Sequence, residues 1–305
     1  MDAVTPVGRF APTPSGRMHL GNVFAALMAW LSVRSRGGEM VLRMEDLDTM
    51  RTSGEFAQVL RQDLNWLGLD FDRETPPQSQ RTQVYDHYFE ILRDKGLLYP
   101  CYCTRSQLHS VNAPHLSDGT YVYPGTCRNL TQPPKDRLPS WRVMVPDKVW
   151  TVEDRVQGHY VCNLARECGD MVVRRADGVY VYQLAVTVDD AEAGVNEVVR
   201  GMDLLSSAPR QMYLQELFGQ PHPQYAHVPM LLAQDGRRLS KRDQDLDLGE
   251  IQKHMTPEKV LGLLAYAAGL IDQKTCINSR ELTKEFSWDR LNKEDITINL
   301  QDFCG

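Results

Sequence analysis

The sequence predicts an α/β fold: a doubly wound parallel sheet of the Rossmann type, interrupted by a small inserted module and followed by a short helical C-terminal region. Three observations predict it. Residues 7–13 (VGRFAPT), 20–36 (LGNVFAALMAWLSVRSR) and 40–46 (MVLRMED) read as strand, helix and strand, the order of a right-handed parallel βαβ unit. From Tyr99 this texture stops, and 99–140 carries clustered cysteines, several prolines and little periodicity, as in a module held by something other than a core. Strand, helix and strand then resume at VNEVVRG, 206–218 and AHVPMLLA.

The opening strand runs into a Pro/Gly turn, and Gly37 and Gly38 end the first helix before the second strand. Apolar positions at three- and four-residue spacing mark further helices near 53–67 and 81–96. After the cysteine-bearing stretch, a strand-like region runs from Trp141 through GVYVYQLAVTVDD, and two last helices are expected near 257–269 and 279–286. The expected division is 1–98 for the first half of the nucleotide-binding domain, 99–180 for the inserted module, 181–245 for the second half and 246–305 for the helical end.

A chain of 305 residues with 42% hydrophobic residues can bury a sizeable core. No run approaches the roughly 18 consecutive apolar residues of a membrane helix, and MDAVTPVGRF lacks the segments of a secretory signal, so a cytoplasmic protein without a membrane partner is expected. Seven cysteines, an odd number scattered along the chain, fit a reducing compartment. The net charge of -6 offers nucleic acid no global attraction. The basic groups at Arg34/Arg36, Arg174/Arg175 and Arg237/Arg238/Lys241/Arg242 are, alone, no more than solvated faces.

In Pro12-Thr13-Pro14-Ser15-Gly16-Arg17-Met18-His19-Leu20-Gly21-Asn22 a strand ends in a rigid turn and a helix opens on a histidine. Such an opening turns backbone N–H groups and the positive helix end toward an anion. His19 can donate to a phosphate, and Gly21 would let a nucleotide approach closely. Far along the chain, Arg238-Leu239-Ser240-Lys241-Arg242 forms a basic loop in which Lys241 is a mobile charge suited to a phosphoryl group.

HLGN at 19–22 and RLSKR at 238–242 resemble the HIGH and KMSKS signatures of class I aminoacyl-tRNA synthetases. GRFAPTPSGRMHLGN, LRMEDLDTMR and EVVRGMDLL are similar to blocks of the glutamyl and glutaminyl branch, and together these blocks span residues 8 to 242. The chain departs from the signature at Arg238 and Arg242 and keeps its second lysine as Lys241. The resemblance implies an enzyme that binds ATP with Mg2+ through His19, Gly21, Asn22, Ser240 and Lys241, with His19 and Lys241 catalytic.

It also implies a glutamate pocket. Glutamate needs cationic donors for two carboxylates and an anion for its ammonium. The matched positions are Arg9, Glu45, Tyr182 and Arg200, with Ala11 and Thr13 alongside. Glu45 would hold the ammonium, while Arg9, Arg200 and the Tyr182 hydroxyl divide the carboxylates in an order the sequence leaves open.

Cys101, Cys103 and Cys127 supply three thiolates of a tetrahedral zinc site, and Tyr123, Tyr121, His109 and His115 are candidates for the fourth ligand. Generic ligand preference favours a histidine. The C-x-C then Y-x-x-x-C pattern of the resembling family picks Tyr123. Cys162, Cys168, Cys276 and Cys304 read as unpaired and structural.

Only some 63 residues follow the RLSKR loop, fewer than the anticodon-reading region of a full glutamyl-tRNA synthetase. The shortened relatives with a zinc module are glutamyl-Q tRNA(Asp) synthetases, so the resemblance implies L-glutamate, ATP and the queuosine-bearing anticodon loop of tRNA(Asp) as partners. Charging of an ordinary tRNA(Glu) end, and a non-catalytic paralogue that binds glutamate or nucleotide, are the alternatives. Intact His19, Lys241, Arg9 and Glu45 speak against the second.

Overall fold

A computed structural model describes residues 4–104, 106–107, 122–237 and 247–298. In chain order its first half comprises β1 (Val7–Phe10), α1 (Leu20–Arg34), β2 (Glu39–Leu42), α2 (Gly54–Trp66), β3 (Arg73–Glu74), α3 (Thr82–Asp94) and β4 (Leu98–Cys101). There follow β5 (Ser140–Val143), β6 (Val149–Asp154), β7 (Gly158–Asn163), α4 (Leu164–Glu167), β8 (Met171–Arg174), α5 (Tyr182–Glu192) and β9 (Glu197–Gly201). The chain continues through α6 (Ala208–Phe218), β10 (Gln224–Val228), β11 (Leu231–Leu232), α7 (Leu248–Ile251), α8 (Pro257–Ala267), α9 (Ser279–Glu285) and β12 (Ile296–Thr297).

The main sheet has the order β3-β2-β1-β9-β10-β6-β7, parallel except for the β6–β7 hairpin. The strand order reverses between β1 and β9, and a doubly wound sheet leaves its ligand crevice beyond the carboxyl ends of the strands at such a point. Both faces are covered. Neighbouring residues of one strand enter different apolar clusters: Val199 and Ala226 pack with α1 and the C-terminal helices, whereas Val198 and Tyr225 pack with Val152 and Ala208. With apolar neighbours on every side, α1 buries eleven of its fifteen residues. A second sheet, β4-β5-β8, is antiparallel and carries the cysteine cluster at one end.

Most of the expected helices and strands stand where periodicity put them, with three differences. GVYVYQLAVTVDD forms helix α5 in place of a strand from Tyr182 onward. Its aromatic and β-branched residues favour strands, but seven consecutive residues from Leu184 to Asp190 are buried, so packing outweighs propensity and hides the helical period. AHVPMLLA is split, because Pro229 has no N–H to continue the ladder after Val228. Finally β6 and β7, within the stretch 99–180, extend the main sheet through Tyr225↔Asp154.

Candidate active site

At the switch point of the main sheet, β1, β2, α5 and β9 bring a cluster of buried charges together. Arg9 on β1 and Arg200 on β9 are each about 5% exposed or less, although both carry charge. Adjacent aspartates at the end of α5 make the burial of the first possible. Asp190 lies 3.5 Å from Arg9 Nε and accepts from Arg43 Nη1 at 2.6 Å. Asp189 accepts from Gln78, Arg81 and Tyr85 at 2.7–2.9 Å and lies 3.8 Å from Arg43 Nε. Burial raises the Asp190 carboxyl, but Arg43 and Arg9 outweigh it and hold the group below its ordinary range.

Glu45, just past β2, accepts from Arg43 Nη2 at 3.2 Å, and its backbone N–H is fixed by Pro12 O at 3.0 Å. Burial pushes its carboxyl up in spite of Arg43 and Arg9. Tyr182 opens α5, feels the charges of Arg200, Glu45 and Arg9, and has its hydroxyl 3.5 Å from Arg200 Nη1. Arg9, Glu45, Tyr182 and Arg200 therefore share one cluster.

Arg200 differs from Arg9 in its company. Its Nε donates to His227 Nε2 at 2.9 Å and its Nη1 to Gln211 Oε1 at 2.9 Å, both neutral partners. Among the described residues no carboxylate lies within ion-pair distance of it, and Nη2 is buried without a hydrogen-bond partner. A buried guanidinium in this state has the capacity to receive an anion.

The turn after β1 carries Ala11, half-buried, and Thr13, exposed, with Thr13 O fixed by Ser15 N–H at 2.8 Å. His19 caps α1. Its Nδ1 accepts from Gly21 N–H at 3.1 Å while its own N–H donates to Asn22 Oδ1 at 3.2 Å. A neutral His19 thus carries its proton on Nε2, the form that donates to a phosphate oxygen. The Cβ that any other residue would have at position 21 would lie 3.0 Å from the imidazole, so Gly21 makes room for His19 over the helix start. Ser240 and Lys241 lie outside the described residues. Asp247, six positions beyond Lys241, forms a backbone bridge with His19, and Leu248 N–H reaches Met18 O at 2.9 Å.

In the second sheet, Cys101, Cys103 and Cys127 hold their sulfurs within 4.8 Å of one another. The Tyr123 hydroxyl lies 3.4 Å from Cys101 Sγ and 3.8 Å from Cys103 Sγ, and Cys103 and Cys127 are 3.6 Å apart. Tetrahedral zinc with Zn–S of about 2.3 Å sets sulfurs about 3.8 Å apart, so the donor set fits a single ion. Burial, Cys127 and Cys101 push the Cys103 thiol up to about 11, a crowding of incipient charge that a divalent cation relieves. Arg142 donates to Cys101 Sγ at 3.2 Å and stacks 3.6 Å over the Tyr123 ring. His109, His115, Tyr121 and Cys304 lie outside the described residues; Cys162, Cys168 and Cys276 form no disulfide.

The family model for class I tRNA synthetases (E and Q), catalytic domain, matches residues 6–303. The chain belongs to this family. A glutamyl-Q tRNA(Asp) synthetase from Symbiobacterium thermophilum is 44% identical over 95% of this chain and 95% of its own. Another from Nitratidesulfovibrio vulgaris is 44% identical over 87% of this chain and 86% of its own. The crystal structure of a glutamate tRNA ligase from Elizabethkingia meningosepticum, in complex with its amino acid, is similar with a TM-score of 0.83 and 26% identity. That match covers 97% of this chain and 68% of the ligase.

Sequence reasoning missed five residues of this synthetase-like site. Arg43 stood inside the quoted LRMED block, and Asp189 and Asp190 ended a run read as a strand. His227 and Asp154 gave weaker signals, a lone polar residue in an apolar strand and an acid at a strand end.

Proposed function

We propose that this chain activates L-glutamate with ATP and transfers the glutamyl group to queuosine in the anticodon loop of tRNA(Asp), in the cytoplasm. The buried, anion-seeking Arg200 beside Arg9 and Glu45 carries the glutamate half of this reading. Arg200, paired with no carboxylate among the described residues, receives the side-chain carboxylate. Glutamine would leave its charge uncompensated. Arg9 and the Tyr182 hydroxyl hold the α-carboxylate, and Glu45 holds the ammonium, which stabilises the ionised carboxylate that burial disfavours. Ala11 and Thr13, on the turn that follows Arg9 and β1, complete the glutamate pocket.

In the first step an α-carboxylate oxygen attacks the α-phosphorus of MgATP, the bond to the bridging oxygen breaks, and pyrophosphate leaves with that electron pair. His19 Nε2–H and the opening amides of α1 face the phosphates, with Asn22 and Gly21 shaping that opening. Ser240 and Lys241, which lie outside the described residues, would add a donor and a charge. In the second step a hydroxyl of the modified base attacks the adenylate carbonyl, the ester forms and AMP departs. Zinc on Cys101, Cys103, Tyr123 and Cys127 would be structural, closing a module that has little apolar core of its own.

Relatives at 44% identity that bear the glutamyl-Q tRNA(Asp) synthetase name support the acceptor. The deciding experiment offers radiolabelled glutamate and ATP with tRNA(Asp) containing queuosine, tRNA(Asp) without it, and tRNA(Glu). Label should enter the first alone. Label in tRNA(Glu) instead would replace the acceptor, and an absence of glutamate-dependent ATP–pyrophosphate exchange would remove the activation step.

A further inference from the structure

His227 sits on β10, wholly buried, between a carboxylate and the pocket arginine. Its Nδ1 lies 2.6 Å from Asp154 Oδ2, and its Nε2 lies 2.9 Å from Arg200 Nε. The Arg200 Nε always carries a hydrogen, so Nε2 must be the acceptor and the single ring proton must reside on Nδ1, directed at Asp154. Any other state is penalised. A proton on Nε2 would oppose donor to donor, and an imidazolium would set a second cation against Arg200 in a buried space that already holds Arg9.

Asp154 is held as firmly as the ring that it orients. Its Oδ1 accepts from Val156 N–H at 3.0 Å and Gln157 N–H at 2.9 Å, both oxygens share the His227 N–H at 3.1 Å, and Oδ2 also faces the imidazole. The His227 carbonyl accepts from Gln157 Nε2 at 2.9 Å, and the ring stacks on Tyr225 at 6.0 Å between centroids. Burial, only partly offset by Asp154, keeps the imidazole neutral, with its pKa lowered to about 4. The charge of Arg200 therefore remains uncancelled by this neighbour while one edge of the guanidinium is fixed in direction.

We infer that Asp154 and His227 are positioning residues for substrate recognition, forming an Asp–His–Arg chain that aims Arg200 at the glutamate side chain. The inference rests on the reading of Arg200 as the glutamate-binding cation. Neither residue touches substrate; each acts through the next.

The test exploits the two amides that imitate opposite nitrogens of imidazole. His227→Gln restores an acceptor near the Nε2 position and drops the Asp154 contact, while His227→Asn keeps a donor for Asp154 and withdraws the acceptor from Arg200. Asp154→Asn presents an amide N–H to Nδ1 and forces the ring proton onto Nε2. In glutamate-dependent ATP–pyrophosphate exchange, His227→Asn and Asp154→Asn should raise KM for glutamate by about tenfold or more, the worth of one hydrogen bond to a charged group. KM for ATP should stay unchanged and His227→Gln should recover most of the loss. Equal KM values for His227→Asn and His227→Gln, or wild-type values for both, would overturn the inference. A measurement on the wild-type enzyme needs no variant to fold: 15N correlation spectra should contain an imidazole that stays neutral in the Nδ1–H form as pH falls through 6.5, its ordinary pKa. Absence of such an imidazole also overturns it. A wild-type enzyme without glutamate-dependent exchange defeats the functional reading instead, and the tautomer then decides the chain of contacts independently.

Discussion

Two buried arginines of the cluster have the same residue type and different electrostatic settings. Arg9 shares Asp190 with Arg43, so its charge is largely answered within the protein. Arg200 makes its hydrogen bonds to neutral groups, and among the described residues no carboxylate pairs with it. Arg200→Ala should therefore raise KM for glutamate by about 100-fold, through a lost charge-assisted pair, with little change in KM for ATP; an equal loss for both substrates would assign Arg200 to the general architecture. His227 adds a pH signature. The unfolded chain takes up its proton near 6.5, whereas the folded imidazole resists until about 4. Its contribution is thus fully present above 6.5 and is lost as pH falls toward 4, on the order of 3 kcal/mol in all. Asp154, held below its ordinary 3.8, acts in the same direction at still lower pH. Thermal melts from pH 7 to about 4 should show the decline, and His227→Gln should flatten it; an unaltered decline in the variant would locate the titration elsewhere. Arg9, Glu45 and Arg200 could be singled out because each falls in a quoted block of the resembling family, and Tyr182 because it matches the family's tyrosine before Leu184-Ala185. His227 was not, since a histidine inside an apolar strand looks like any satisfied core residue.

At the scale of elements, the cysteine cluster depends on how closely two loops approach. Tyr123 forms a bridge with Gly169, whose φ is +69°, and a Cβ there would come within 2.2 Å of Tyr123 O. Gly169→Ala meets both the left-handed backbone and this contact, so it should lower Tm, and metal analysis should show zinc lost from the purified variant. Retention of one zinc per chain in Gly169→Ala would show that the cluster tolerates displacement of Tyr123. The cluster itself was legible from cysteine spacing, and the ring of Tyr123 from the family pattern. Arg142 was not, because a cation placed over a phenol by strand pairing across β4 and β5 has no sequence spacing to betray it. Helix α5 failed for a related reason: burial on all sides leaves no polar face from which its period can be read.

At the scale of the molecule, remote segments meet at the turn between β1 and α1. Arg17 donates to Asp63 Oδ1 of α2 at 2.8 Å, and Gln252, just past α7, donates to the same carboxylate at 3.0 Å. Asp63 is fully buried. Arg17→Ala leaves it with Gln252 alone and should cost about 1–3 kcal/mol in urea unfolding, with KM for ATP rising as the turn loosens. A stability loss without any change in KM would separate the brace from the site. The sheet order could be anticipated for its first βαβ unit, but the placement of β6 beside β10 could not. Nothing in 149–163 distinguishes a strand of the main sheet from one of an inserted module, because that choice is settled by long-range pairing.

The contacts of Arg200 also run across the sheet: Asp154 belongs to β6, His227 to β10 and Arg200 to β9, three neighbours in lateral order. On the role proposed for Arg200, amino-acid preference is a property of a row and not of a position. Replacing the guanidinium alone strands a neutral imidazole and its carboxylate with no purpose, so drift toward a new amino acid has to pass through coordinated changes at three places far apart in the gene. Libraries that randomise the row together should recover altered preference where single-site libraries at Arg200 return only weakened enzymes.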